Sequence, residues 1–319
     1  MTIQTMWGWE PAIYLFLGGL AGGTFFISAL VRLATKDRFQ RLSVVAPWVS
    51  FAALAVGLFC LVIEVEKPLQ AMMMWRSFVN FSSWMTIGAW LLFASIAVFF
   101  LSAFFSTPRL VKALKVKEGV AAKVSQVTMV LGAVLGLGVA AYTGVLLMAA
   151  GSVPLWNTPL IPVLFTVSAL DAGAVVVLAC LLGEKAEGAD AMYRKVSLAS
   201  VALIVGEALV LTALLMSHLS GSVSQAIAAS TLVSGDLSLQ FWLIVVIVGL
   251  VIPLVLDLLT MTKIVKNKDA RRVAHIAVIV LVLVGGLALR YVILAAGIHA
   301  VSVSPDVAQA IQGVYALVL

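Results

Sequence analysis

LIPVLFTVSALDAGAVVVLACLL, residues 160–182, is an apolar run whose one charged side chain is Asp171. An α-helix needs about 20 apolar residues to cross the hydrocarbon core of a bilayer, so the run predicts a membrane-spanning helix. Seven similar runs lie at roughly 11–31, 46–66, 86–106, 124–148, 196–218, 239–262 and 273–297. The sequence therefore predicts eight spanning helices.

The composition supports this prediction, because 63% of the 319 residues are hydrophobic and 11% are charged. A soluble domain of this length would need many more charges on its surface. The runs are also too long and too uniformly apolar to be strands of a barrel, and backbone polar groups cannot stay unpaired in lipid. We predict an all-α integral membrane protein, one domain over residues 1–319, with its helices packed as two groups of four.

The basic residues predict the orientation. Four loops, after the first, third, fifth and seventh spans, hold 17 of the 20 Lys and Arg residues. Such loops remain in the cytoplasm, so both termini are expected on the outer side. The net charge of +6 then reflects topology and attraction to anionic lipid headgroups, and nucleic-acid binding is not implied. The N-terminus lacks the basic region of a signal peptide, so we expect the first helix to be retained.

This orientation puts the stretch LVIEVEKPLQAMMMWR, residues 61–76, at the outer rim of the membrane. Glu64 ends the second span there, Glu10 and Tyr14 open the first, and Tyr142 lies near the outer end of the fourth. A carboxylate and phenols at one depth suit a quinone ring, and a partly buried carboxylate suits proton acceptance. In a second interpretation the tyrosines belong to the interfacial aromatic belt and Glu64 pairs with Lys67 or Arg76.

The methionines Met72, Met73 and Met74 follow in the same outer loop. Flexible thioethers suit either an adaptable surface for a partner protein or the filling of gaps under the loop. Both interpretations stay open from the sequence.

Three further charged residues lie deep inside predicted spans. Asp171 and Glu207 fall near the bilayer centre, and Arg290 lies about 10 Å below the outer face. Ionisable groups at such depths mark either a pathway or a buried pair. We therefore expect either a proton route through these residues, or an Asp171–Arg290 ion pair with a protonated, structural Glu207.

No metal site is expected on this chain. Cys60 and Cys180 are single, with no CxxC motif or Cys/His cluster, so the chain is not expected to ligate an iron–sulfur cluster. His218, His275 and His299 are too scattered to predict a haem, although His218 and His299 lie at the same face. The competing functional classes are a secondary transporter and a purely structural membrane anchor.

Several motifs resemble the NrfD/PsrC family, the membrane subunits of polysulfide-reductase-type respiratory complexes. In order along the sequence they are WGWEPAIYLFLGGLAGG, IEVEKP, SSWMTIGAW, YTGVLL, PLWNTPLIPVLFTVSALDAG and GGLALRYVILAAG. The resemblance covers essentially all eight spans.

The resemblance implies a quinone-interacting subunit without haem or iron–sulfur cluster, in a bacterial or archaeal inner membrane, that uses menaquinone or ubiquinone. It implies a ferredoxin-like iron–sulfur partner, and commonly a molybdopterin partner that carries the terminal substrate chemistry. In IEVEKP, Glu64, Lys67 and Pro68 take the positions of the family's acidic-x-x-basic-Pro signature, with Glu64 where Asp is more usual. Tyr142 and Arg290 take those of the fourth-helix tyrosine and the last-helix arginine. Glu10 or Tyr14 would supply the polar quinone contact of the first helix.

Overall fold

A computed structural model describes residues 8–64, 81, 83–262 and 268–297, without the side chains of Glu64, Lys268 and Asp269. Within these residues eight helices are long and apolar enough to span a membrane, which confirms the predicted number. They are α1 Trp9–Thr35, α2 Gln40–Glu64, α3 Trp84–Phe105, α4 Glu118–Met148, α5 Leu160–Leu182, α6 Ala189–Leu219, α7 Gln240–Met261 and α8 Lys268–Ala295.

The predicted bounds are correct for α5 but too short at the basic ends of other helices. For example, α2, α4 and α6 begin six or seven residues earlier than their apolar runs. Backbone hydrogen bonding continues past the apolar segment, because charged side chains are tolerated in a helix once it has left the hydrocarbon core. Two short helices, Pro108–Ala113 and Val223–Val233, were not predicted.

The loop between α1 and α2 is held by a buried arginine at the end of α1. Arg32, 2% exposed, donates to the carboxylate of Asp37 at 2.7 and 3.0 Å, and also to Ser106 and Ser125. Ser43 donates to the same carboxylate. Burial alone would raise the pKa of Asp37, but the hydrogen bonds from Arg32 and Ser43, with the arginine charge, lower it below its ordinary value.

Helix α1 is the most connected helix, because it packs against α2, α4, α5 and α8. Its glycines make these contacts close: Gly22 lies against the backbone of Gly136 in α4, and Gly23 lies against Ala169 and Gly173 in α5. A side chain at either glycine would meet backbone atoms. The small residues of GGLAGG thus allow close helix packing.

Helix α7 has an unusual backbone, since Gln240–Val251 is a π-helix that continues into the α-helix Ile252–Met261. Within the π segment, Gly249 lies against Gly285 of α8, with no room for a side chain on either glycine. Segments of π-helix are rare and often occur at functional sites. This one borders the buried polar cluster described below.

Many large apolar side chains are exposed around the bundle, including Phe93 at 71% and Leu239 at 70%. A surface of this kind suits lipid and would be unfavourable in water. The protein is a multi-pass membrane protein. The outward position of both termini, the two groups of four helices and the single domain over residues 1–319 stay predictions.

Candidate functional site

Two buried tyrosines on neighbouring helices lie near the predicted outer face. Tyr14 of α1 is 5% exposed and Tyr142 of α4 is 7% exposed, and the two helices pack against each other. At about 1.5 Å per residue they lie roughly 8–9 Å inside their helix ends. The predicted convergence of these two residues at one depth is therefore present in the structure.

A glycine of α3 makes room for one of the two rings. The phenol end of Tyr142 lies across Gly88, so closely that a Cβ at that position would overlap the ring. Gly88 is four residues inside the start of α3, at nearly the same depth as the tyrosines. Because Gly57 also brings α2 to within contact of Leu17 on α1, helices α1 to α4 all meet at this end.

The other predicted members of the rim are less constrained. Glu10 is exposed in the first turn of α1. Glu64 is the last residue of α2, about 10 Å above Gly57, and its side chain is not among those described. Lys67, Pro68 and the three methionines lie outside the described residues. The structure thus joins Tyr14 and Tyr142 and leaves the carboxylate and lysine assignments as predictions.

The three deep charges do come together. Asp171, Glu207 and Arg290 are 1%, 5% and 0% exposed. Asp171, Glu207 and Ser168 line one small enclosed pocket beside the Gly249–Gly285 contact. Arg290 donates to Ser168 at 2.5 Å and to the carbonyl oxygens of Gly286 and Phe165 at 2.9 and 3.2 Å.

The suggested Asp171–Arg290 ion pair was wrong. Asp171 instead accepts a hydrogen bond from Ser200 of α6 at 2.5 Å, and the carboxylate nearer to Arg290 is Glu207. Among the described residues, neither carboxylate forms a salt bridge. Arg290 lies nearer the predicted outer face than Asp171, so Ser168 and the backbone of α5 and α8 reach its guanidinium first.

A third buried acid, Asp257 of α7, was not predicted from the sequence. It is 0% exposed, accepts from Ser197 at 3.2 Å, and its second carboxylate oxygen has no hydrogen-bond partner among the described residues. It interacts electrostatically with Asp171. The available signal was an aspartate inside the run VIPLVLDLLT, but its position near the helix end is also typical of an interfacial residue.

These groups form a ladder of polar side chains across the bundle. From the predicted cytoplasmic end it runs through Ser197 with Asp257 and Ser200 with Asp171, then through Glu207 and Ser168, which line one pocket, and it ends at Arg290. Hydroxyl groups that both donate and accept alternate with carboxylates, the groups that a proton relay requires.

The ladder ends against α1, the helix that carries Tyr14. The guanidinium of Arg290 lies 5.1 Å from the ring centre of Phe165 and 5.9 Å from that of Phe16. A Cβ on Gly19 would lie 3.5 Å from its terminal nitrogen. Phe16 and Gly19 are within five residues of Tyr14, so the end of the ladder lies close to the helix that carries Tyr14.

The two histidines that the structure describes, His218 and His275, lie far from each other. His218 is buried and its Nδ1 lies 2.8 Å from the carbonyl oxygen of Leu214 in its own helix. His275 packs edge-on against Tyr193 at the opposite end of the bundle, and His299 lies outside the described residues. Within the described part of the protein, no group of three His, Cys, Asp or Glu could hold a metal ion.

Comparison with known proteins extends over nearly the whole sequence. Residues 1–302 match the family described as Polysulphide reductase, NrfD. The protein is 30% identical to the C subunit of polysulfide reductase from Wolinella succinogenes, with 92% of this protein and 94% of that one covered. It is also 30% identical to protein NrfD of Escherichia coli, with 92% and 95% covered, and 26% identical to an NrfD homologue of Haemophilus influenzae, with 93% and 95% covered.

Proposed function

This chain belongs to the NrfD family of polysulphide reductase subunits, and from that premise we propose that it exchanges electrons between membrane quinone and an iron–sulfur partner subunit. Its relatives indicate a membrane subunit of a respiratory oxidoreductase. The observation that supports the quinone proposal is that Tyr14 and Tyr142 are both buried at a similar depth. They lie at the end of the bundle that includes Glu64.

The residues at this site fit a quinone head group. Two phenol O–H groups at one depth are suitable donors for carbonyl oxygens, and their surroundings are apolar helix faces that accommodate an isoprenoid tail. Contact between Gly88 and Tyr142 holds one phenol in position, which reduces the entropy that binding must remove. Glu10, at the mouth of α1, is exposed and is the weakest candidate for direct contact.

Quinol oxidation releases two electrons and two protons, and quinone reduction takes up the same number. Tyr14 and Tyr142 orient the ring by donating hydrogen bonds to its oxygens. Glu64, at the end of α2, accepts a proton as the ring is oxidised and returns it in the reverse direction. Lys67, three residues beyond Glu64 in the sequence, is the other charged candidate for the quinone pocket.

The electrons require a partner, since we expect no haem or iron–sulfur cluster on this chain. We propose a ferredoxin-like iron–sulfur subunit docked over the outer loop that contains Met72, Met73 and Met74, together with a molybdopterin subunit for the terminal chemistry. The complex would lie in the inner membrane of a bacterium or archaeon and use menaquinone or ubiquinone.

The test is to purify the complex with its natural partners, add a reduced quinol analogue, and follow iron–sulfur cluster reduction by EPR. Tyr142→Phe and Glu64→Gln should slow the quinol-dependent signal at least tenfold while dithionite still reduces the clusters. Tyr291→Phe is the matched control, because it removes a phenol hydroxyl on α8 at the same end of the bundle. Unchanged rates in both site variants would exclude these residues from quinone chemistry, and clusters that ignore quinol in either direction would favour an anchor or transporter.

A second proposal concerns the polar ladder, for which we infer a role in proton transfer between the predicted cytoplasmic face and α1. Glu207 and Asp171 carry the proton in the middle of the bundle, and Asp257 receives it from the cytoplasmic side. Arg290 supplies a fixed positive charge beside Glu207. The alternation of Ser197, Ser200 and Ser168 with these acids supports the proposal.

The ladder can be tested in liposomes that contain the complete complex and a pH-sensitive dye. Glu207→Gln should abolish the proton movement that accompanies quinone turnover, because the amide cannot release a proton. Electron transfer from quinol to the clusters should remain within about twofold of wild type. Asp190→Asn, which removes an exposed carboxylate from the first turn of the same helix, should change neither quantity. Proton movement that survives Glu207→Gln would assign the ladder a structural role.

A further inference from the structure

A cavity of about 660 Å³ opens at the predicted cytoplasmic end of the bundle. Its walls come from the ends of α5 and α7 and the starts of α2, α6 and α8. The volume is ample for a phosphodiester head group. It is bordered by charged side chains at the predicted depth of lipid head groups.

The charges on its walls are predominantly positive. The cationic residues are Arg41, Lys185, Arg194, Arg271 and Arg272, and the acidic ones are Glu184 and Asp190. One of the acids is already engaged, because the carboxylate of Glu184 accepts the backbone N–H groups of Arg41 and Lys185 at 2.9 and 3.1 Å. The cavity therefore has an excess of positive charge.

These cations lack anionic partners in the described part of the protein. Among the described residues, none of the five forms a salt bridge with a carboxylate. In contrast, Arg32 and Arg38, at the end of α1 and just beyond it, are both paired with acids. Guanidinium groups from α6 and α8 that line one cavity, without a salt bridge to a described carboxylate, present the donor pattern that suits phosphate oxygens.

Part of the remaining wall is apolar. Leu181 and Leu182 end α5 and Met261 ends α7, so the cavity has apolar residues as well as cationic ones in its walls. An anionic phospholipid has the same division between acyl chains and phosphate. A soluble phosphate compound would use the cations but leave the apolar wall in water.

We propose that this cavity binds the head group of an anionic glycerophospholipid, with its phosphate between Arg194, Arg271 and Arg272 and its acyl chains along the ends of α5 and α7. The lipid bridges α6 and α8, which carry the guanidinium groups. Its binding therefore stabilises the packing of the helices that contain the polar ladder.

The test uses the full-length protein, delipidated in neutral detergent and titrated with cardiolipin, phosphatidylglycerol or phosphatidylcholine, with bound lipid counted by native mass spectrometry. Each basic residue beside a bound anionic head group changes lipid affinity about fivefold. The variant Arg271→Gln/Arg272→Gln should therefore bind anionic lipid about 25-fold more weakly than wild type. Arg109→Gln/Lys123→Gln removes two exposed charges, one from the short helix Pro108–Ala113 and one from the start of α4, and should stay within about twofold of wild type.

Three results would overturn the proposal. Equal losses in both double variants would mean that the whole basic face attracts lipid without a specific site. Phosphatidylcholine that binds as well as cardiolipin would exclude recognition by charge. If inorganic phosphate raises the unfolding midpoint of the wild-type protein as much as cardiolipin does, the cavity is a site for free phosphate. The midpoint also verifies that each variant is folded, and none of these results depends on quinone activity.

Discussion

Replacing Gly88 with alanine tests the central contact of the candidate quinone site. The new methyl group would overlap the phenol end of Tyr142, so the ring or helix α3 must move. Overpacking of this kind costs about 1–3 kcal/mol. Replacing glycine by alanine inside a helix also contributes about 0.5–1 kcal/mol of stability, which offsets part of that cost.

Gly119→Ala is the matched control, because Gly119 lies in the first turn of α4 with nothing within 4 Å of its added Cβ. It should leave stability unchanged or raise it by up to about 1 kcal/mol. The difference between the two variants isolates the packing cost at Gly88. It is measured by reversible unfolding in mixed micelles of dodecyl maltoside and sodium dodecyl sulfate, followed by tryptophan fluorescence.

A double-mutant cycle makes the test specific to the ring. In a Tyr142→Ala background the cost of Gly88→Ala should disappear, which gives a coupling energy of about 1–3 kcal/mol. Quinol-dependent cluster reduction should fall in Gly88→Ala, because the phenol is displaced from its binding position. A Gly88→Ala variant that unfolds like Gly119→Ala and keeps full turnover would refute both the contact and its role in quinone binding.

Three other predictions concern the scaffold and use the same unfolding measurement. The pKa of Asp37 is lowered in the folded protein, so the stabilisation by its ionised carboxylate is complete at neutral pH and is lost as the pH falls below 3.8. Asp37→Asn should thus be less stable than wild type at pH 7, and the difference in stability should shrink in acid. Gly22→Ala should destabilise by about 1–3 kcal/mol, whereas Gly18→Ala, whose Cβ finds ordinary contact at 3.5 Å, should be tolerated. Trp156→Phe removes a buried 2.9 Å hydrogen bond and should lower the free energy of unfolding by about 1–3 kcal/mol. Trp242→Phe removes an exposed hydrogen bond and should lower it less. A loss of stability in Asp37→Asn that does not depend on pH would contradict the stated cause. Equal losses in the two glycine variants, or in the two tryptophan variants, would do the same.

The sequence alone determined the parts of this protein that depend on the bilayer as a solvent. A predominantly apolar run of about 20 residues has few alternatives to a spanning helix, so the eight spans follow from hydropathy. The same counting identified Asp171, Glu207 and Arg290 as deep residues, and the ordered motifs identified the family, which the known relatives confirm. The conclusions about spans and depth require only the position of each residue along one helix.

The contacts between helices were decided by tertiary packing alone. Depth cannot specify which face of a helix a residue occupies, so it suggested an Asp171–Arg290 pair where the structure has Ser200 and Ser168 as partners. Asp257 was missed for a related reason, because a carboxylate near a helix end is buried only if neighbouring helices enclose it. Tyr14 and Tyr142 meet because glycines let α1 and α4 approach closely and Gly88 of α3 leaves space for a ring. Rotation and separation of helices depend on steric fit between distant segments, and a pattern of hydropathy along one segment does not contain that information.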